Sequence, residues 1–215
     1  MKILVTGSTG FIGNYLISFL LKNKSNQIIA SSRNINEAKK FNWFHKVEYI
    51  EHDLSANDET DLYNYFEKPD KLIHLAWDQV SNVEDASHVK EHLSNQLRFI
   101  KTFIEGGLKE LIVTGSCFEY GMLEGCLKED AKTNPVNPYG VAKNTLRESV
   151  VELRKNFDFD YKWIRIFYIY GEGQSKTSLF YQLNEAIKNK DKQFNMSGGE
   201  QLRDYLSIDE VVKYI

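Results

Sequence analysis

Apolar and polar positions follow two rhythms along this chain. Short, nearly continuous apolar runs recur at Lys2–Thr6, Gln27–Ser32, Val47–Glu51, Lys71–Leu75, Glu110–Thr114 and Lys162–Phe167, and each reads as a strand. Between them lie stretches of helical period near Phe11–Lys22, Asn36–Phe41, Thr60–Phe66, Ala86–Glu105 and Pro138–Asn156. Such alternation is the pattern of βαβ units. It predicts an α/β fold, a doubly wound Rossmann-like parallel sheet with right-handed crossovers and helices on both faces. Runs such as KILV, LIHLA and ELIVT are apolar almost throughout, as strands buried on both faces must be.

The rhythm changes near Ile169. A helical stretch, Ser178–Asn189, leads through the turn-like NMSGGE to RDYLSIDEVVKYI, whose helix starts at Ser207 or Asp209 and is still running at Ile215. Its apolar stripe, Ile208, Val211, Val212 and Ile215, needs a partner surface. The expected organisation is a Rossmann-like domain over residues 1–167 and a partial second region over 168–215, in a chain that reads as a fragment or a shortened form.

Composition narrows the class. With 215 residues, 42% of them hydrophobic and 27% charged, the chain suits a globular protein with one well-buried core. Lys and Arg are scattered and the net charge is −3, so no nucleic-acid partner is expected. No apolar run approaches the roughly 20 residues that span a bilayer. Lys2 precedes an apolar stretch, but Gly7, Gly10, Gly13 and the polar residues among them break any signal-peptide core. Two cysteines, Cys117 and Cys126, make no disulfide framework and point to a reducing compartment, so a cytoplasmic location is expected.

The chemistry starts at VTGSTGFIG, residues 5–13, where three glycines follow the first strand. Gly7 permits a tight turn, Gly10 lets backbone N–H groups approach a diphosphate, and Gly13 lets the helix pack close to the strand. The positive end of the helix dipole meets the same anion. Far downstream, PYGVAK at 138–143 places Tyr139 and Lys143 on one helix face, with Pro138 in the first turn. A free Tyr titrates near 10, so acid–base use near neutrality asks for a downshift of about 3 units, roughly 4 kcal/mol. A neighbouring ammonium and a nicotinamide cation both push that way. Ser116 closes the fifth strand at its carboxyl end, where open α/β sheets build their sites, and its hydroxyl can hold a substrate oxygen.

Taken together, these motifs closely resemble the extended short-chain dehydrogenase/reductase superfamily, in its branch of nucleotide-sugar epimerases, dehydratases and ketoreductases. The marks are TGSTGFIG at 6–13, Asp53–Leu54, LIHLAW at 72–77, Asn95, TGSCFEYG at 114–121, NPYGVAK at 137–143, IRIFYIYGEGQ at 164–174 and RDYLSIDE at 203–210. The resemblance implies NAD or NADP as cofactor and catalytic roles for Ser116, Tyr139 and Lys143. It implies cofactor contacts from Gly7, Gly10, Phe11, Ile12 and Gly13, adenine contacts from Asp53 and Leu54, and nicotinamide-side contacts near Leu75 and Ala76. Asn95, Tyr139 and Lys143 complete that set, and Lys143 could bond the nicotinamide ribose. Ser116, Cys117, Tyr168 and Arg203 are the implied substrate contacts, Arg203 toward the nucleotide diphosphate. A homodimer through the fourth and fifth helices is a further family habit.

Two departures carry information. Dehydratases of this branch place an Asp–Glu pair where this chain has Cys117 and Phe118, which cannot do that acid–base work, so a 4,6-dehydratase is disfavoured. Cys117 reads as a small packing residue rather than a nucleophile. At the end of the second strand, where NAD-preferring members keep an acid for the ribose 2′-hydroxyl, this chain has Ser31, Ser32 and Arg33. Hydroxyls and a guanidinium suit a 2′-phosphate, which favours NADP over NAD. His88 and His92, four apart among acidic residues, could be drawn as a metal site, but no third ligand is evident and both read as solvated. His74 reads as a hydrogen-bonded core residue.

The leading expectation is an oxidoreductase acting on a nucleotide-activated sugar, ranked first as a 4-ketoreductase. A 4-epimerase is the alternative. A non-catalytic NADP-binding regulatory protein on the same fold is the reading from another class, and retention of Ser116, Tyr139 and Lys143 argues against it.

Overall fold

Six strands form the main sheet in the computed structural model, which describes residues 1–56 and 61–215. They are β1 (Lys2–Thr6), β2 (Gln27–Ser32), β3 (Glu48–Glu51), β4 (Lys71–His74), β5 (Glu110–Ser116) and β6 (Asp160–Ile166). The spatial order is β3-β2-β1-β4-β5-β6 and every neighbouring pair is parallel. The winding reverses between β1 and β4. That switch point opens a crevice at the carboxyl ends of these two strands, where α/β proteins of this kind bind ligands.

The connecting helices are α1 (Phe11–Leu20), α2 (Ile35–Ala38), α3 (Leu62–Tyr65), α4 (Leu93–Gly106) and α5 (Pro138–Leu153). Local chemistry sets their ends. Asn137 caps α5 by accepting from Gly140 N–H at 2.8 Å, with Pro138 in the first turn. Gly107, at φ 105°, ends α4 in the left-handed conformation that glycine adopts without strain. The core joins Leu4, Ile29, Leu72, Leu111 and Val113 of the sheet to Phe99, Ile100 and Phe103 of α4 and Leu146 and Val150 of α5. Burying each such side chain contributes about 1.5–3 kcal/mol.

Residues Met1–Ile166 form one compact unit and Phe167–Ile215 a second. Within the second, β7 (Tyr168–Tyr170) pairs in parallel with β8 (Tyr205–Ser207), alongside α6 (Leu179–Asn189) and α7 (Ile208–Tyr214). Ser178 and Ser207 cap these two helices with their hydroxyls.

Several elements differ from the sequence expectation. Strand β5 runs two residues further, through Ser116, because Gly115 and Ser116 pair with Arg165 and Ile166 of β6, which itself starts earlier, at Asp160 opposite Glu110. The helix expected over Ala86–Glu105 is split. A single π-turn, His88–His92, precedes α4, and His88 turns inward where its two ring nitrogens find partners. Helix α3 is a short segment, and Thr60, its expected first residue, lies outside the described residues. The strands β7 and β8 were not expected, since a pairing so distant in sequence leaves no local period. Among the described residues no helix is long and apolar enough to cross a membrane, and no group of three potential metal ligands exists.

Candidate active site

At the end of β1 the backbone itself makes the site. Gly7 has φ 67°, and a Cβ there would stand 2.8 Å from the Ala76 nitrogen, so the loops after β1 and β4 touch at a point only glycine fits. A Cβ on Gly13 would lie 2.8 Å from Ser8 Cα, so α1 packs against the turn with no room for a side chain. Gly10, extended at the N-cap of the ten-residue α1, carries no side-chain cap. This cradle at a free helix N-terminus fits the diphosphate of a dinucleotide. Leu75 and Ala76 follow β4 on the other wall, and Phe11 and Ile12 open α1.

Three further cofactor candidates surround the cradle. Arg33, one residue past β2, reaches across the end of β1 to pair with Asp78 at 2.8 Å, both side chains being partly exposed. Asp53 accepts from Ser55 N–H at 2.9 Å and Ser55 hydroxyl at 2.8 Å. Burial pulls the Asp53 carboxyl upward, but these bonds and the nearby Arg33 and His52 outweigh it and leave it below the usual range. Arg98 of α4, which sequence reading passed over, holds this segment by donating to the Leu54 and Ala56 carbonyls at 3.0 and 2.9 Å. Asn95 is half-buried on α4 beside Gln96.

Beneath the crevice lies a neutral cluster. His74 Nε2 meets Gln96 Oε1, and Nδ1 meets Thr6 Oγ1 at 2.9 Å. An amide oxygen only accepts, so Nε2 carries the proton, Nδ1 accepts from Thr6, and the imidazole is neutral. Burial drives its pKa down to about 4, with the Lys143 charge acting the same way. Thr6 Oγ1 in turn accepts from Ala76 N–H at 3.4 Å, which ties this cluster to the cradle wall. His74 is the hydrogen-bonded core residue that its place in a buried strand predicts.

Ser116, Tyr139 and Lys143 converge at the end of β5, exposed by only 7%, 8% and 3%. The Ser116 side chain stands close enough to the Tyr139 hydroxyl to pull its pKa down. Lys143 donates to the Thr114 carbonyl at 2.8 Å and stands 4.0 Å from the centroid of the Trp77 ring, a cation–π contact. Burial pushes Lys143 down to about 7, against an upward pull from Glu119. The expected downshift of Tyr139 is not found. Burial raises its pKa, and Glu119 and Cys117 raise it further, outweighing the pull of Ser116. The ammonium that was to lower it is itself buried and turned to Thr114.

Trp77 and His88 complete the surroundings and were missed as a pair. Trp77 Nε1 donates to His88 Nδ1 at 3.1 Å, and His88 Nε2 donates to the Asn82 carbonyl at 2.9 Å. Both rings stand edge-on to Tyr139, at 5.8 and 5.2 Å between centroids. His88 is fully buried, not solvated as its polar neighbours suggested, because the π-turn directs it inward. Phe118 packs on Tyr139 from the other side at 6.1 Å. Cys117 is half-buried in the turn after β5, and neither cysteine is in a disulfide. In the second unit Arg203 stacks on Tyr168, 4.5 Å from the ring centroid, and donates to Gln201 at 2.6 Å. Those two candidate substrate residues thus touch each other.

Known proteins resemble this chain along nearly its whole length. The family model "NAD dependent epimerase/dehydratase family" matches residues 3–215. The dTDP-6-deoxy-L-talose 4-dehydrogenase (NAD(+)) of Aggregatibacter actinomycetemcomitans is 29% identical over 212 residues, covering 98% of this chain and 77% of that protein. An uncharacterised UDP-glucose epimerase of Bacillus subtilis (strain 168) is 25% identical, over 100% of this chain and 71% of its own. Among solved structures, the UDP-glucuronic acid 4-epimerase of Bacillus cereus, in complex with UDP-glucuronic acid and NAD, aligns with TM-score 0.83 at 25% identity, over 99% of this chain and 71% of that one.

Proposed function

This chain belongs to the NAD-dependent epimerase/dehydratase family, and on that premise we propose that it is a reductase of nucleotide-activated 4-keto sugars. The observation that carries the reading is the convergence of Ser116, Tyr139 and Lys143 at the carboxyl end of β5. Relatives act on nucleotide sugars, and the solved relative holds one together with NAD. Residues 1–167 would hold the cofactor and 168–215 contribute to the sugar nucleotide.

A dinucleotide held here would supply a hydride for the carbonyl carbon. Gly7, Gly10 and Gly13 would receive its diphosphate with the N–H groups at the start of α1. Asp53 and Leu54 would take its adenine side, Leu75 and Ala76 its nicotinamide side. Tyr139 gives its hydroxyl proton to the carbonyl oxygen as the carbon is reduced, and Ser116 holds that oxygen in line. Lys143, kept dry beneath Trp77, stabilises the tyrosinate that this transfer leaves until a proton returns from water.

Two features favour reduction. Cys117 and Phe118 stand where a dehydratase needs acids. Ser31, Ser32 and Arg33 offer no carboxylate to the adenine ribose, so NADPH is the proposed hydride source. The 4-epimerase is the second reading, favoured by the epimerases among the relatives.

Purified protein incubated with NADPH and a panel of nucleotide 4-keto-6-deoxy sugars should lose nicotinamide absorbance. Interconversion of 4-epimers without net cofactor consumption would replace the reductase reading with the epimerase one. For cofactor choice, Arg33→Ala should weaken NADPH binding by about 1.5–3 kcal/mol and leave NADH nearly unaffected. Equal losses for both in fluorescence titration would show that Arg33 does not read the 2′-phosphate.

A further inference from the structure

We propose that Glu119 is a positioning residue for the reduction proposed above: it fixes the Ser116 backbone from beneath the strand end and sets a negative charge facing the Tyr139–Lys143 pair. Among the described residues it is the single fully buried carboxylate, at 0% exposure. Its Oε1 accepts from Ser116 N–H at 2.8 Å and Trp163 Nε1 at 3.0 Å. Oε2 accepts from Arg165 Nε at 2.8 Å and lies 3.9 Å from Arg147 Nε, a buried nitrogen with no hydrogen-bond partner among the described residues.

Strand β5 is shaped around this group. The Thr114 carbonyl takes Lys143, and Ser116 meets Tyr139. Between them, a Cβ on Gly115 would run into the Trp163 indole and the Glu119 carboxylate. Three successive residues thus join lysine, carboxylate and tyrosine in one small volume.

Capping does not require the charge. Ser116 and Glu119 form a capping box around the turn Cys117–Tyr120, a duty that glutamine performs as well. A buried carboxylate costs far more than a buried amide unless cations answer it, and here two arginines and an indole are committed to it. The charged and titratable groups around it are Lys143, Tyr139 and Arg147 of α5, Arg165 and Tyr161 of β6, and Cys117 and Tyr120 of its own turn. Its negative potential helps Lys143 keep a proton that burial would remove, so that a cation stands ready for the tyrosinate, and it adds to the upward shift of Tyr139.

The test needs no substrate, so its failure is distinct from failure of the reductase reading, on which the catalytic meaning rests. In the full chain carrying [ε-13C]lysine, the Lys143 signal is assigned by its loss in Lys143→Arg and titrated by NMR. Glu119→Gln keeps an oxygen for Ser116 N–H and removes the charge, so the Lys143 midpoint should fall by roughly 0.5–1 unit. Arg147→Met leaves the Glu119–Arg165 pair in place and should raise it. With the sugar assay in hand, the high-pH limb of kcat should move with these midpoints. An unchanged midpoint in folded Glu119→Gln reduces Glu119 to a cap and overturns the proposal. If circular dichroism shows that variant unfolded, Arg147→Met decides, and an unmoved or lowered midpoint overturns it.

Discussion

Two buried polar clusters share the carboxyl edge of one sheet and meet at Thr114, yet they behave in opposite ways. Thr114 hydroxyl donates to the His74 carbonyl at 3.4 Å, and its own carbonyl takes Lys143 at 2.8 Å. On the β4 side, His74, Thr6 and Gln96 form a closed neutral set in which both ring nitrogens have a partner. On the β5 side, burial pushes Lys143 down to about 7 and Tyr139 up, and a buried Glu119 presses both toward their protonated forms. Equal burial has opposite consequences. Where each donor has an acceptor, it yields a rigid wall for the crevice. Where charged groups are trapped together, it leaves a protonation state that small changes can move, as proton transfer needs.

The largest expected effect separates these roles. Tyr139→Phe keeps the ring against Trp77 and His88 but removes the transferable proton, so kcat should fall by a factor on the order of 10²–10⁴ with cofactor affinity nearly unchanged. Retention of most of the turnover would move proton donation to another group and leave the two clusters alike.

His74 supplies the next contrast, in stability rather than rate. Unfolded, it titrates near 6.5, and folded near 4, so between these values the unfolded chain holds more protons and stability falls as pH falls. The loss over that window should come to about 3 kcal/mol. Urea midpoints across the range should show it in the parent chain. His74→Asn should be weaker at neutral pH and lack that part of the slope, whereas parallel slopes would assign the loss elsewhere.

Trp77→Phe should give the smallest change. It leaves an aromatic face over Lys143 and deletes the donor to His88, at a cost of about 1 kcal/mol in urea unfolding. A much larger loss would mean that the cage around Lys143 is as closed a structure as the His74 set.

Much of the fold is legible in local pattern, for a physical reason. Strands buried on both faces must be apolar throughout, and α5 announces itself by Asn137 and Pro138, so these elements answer to short-range chemistry that neighbouring residues carry. The glycine cradle is legible too, since only glycine tolerates the φ of Gly7 and the closeness of Gly13. Even the link from Glu119 to Ser116 had a signal in the spacing S-x-x-E, a capping box at the end of a strand.

Tertiary structure decided what those residues meet. The π-turn that buries His88 depends on Trp77, eleven residues earlier, and on the Asn82 carbonyl, so the polar spacing of His88 and His92 misleads when read as one regular helix. The pairing of β7 with β8 joins segments far apart in sequence. Above all, the direction in which Tyr139 titrates could not follow from its spacing to Lys143. Spacing on a helix sets which groups are neighbours, but a pKa answers to the dielectric and to every nearby charge, and here burial at the end of β5 and a carboxylate held in place by Arg165 from β6 decide it.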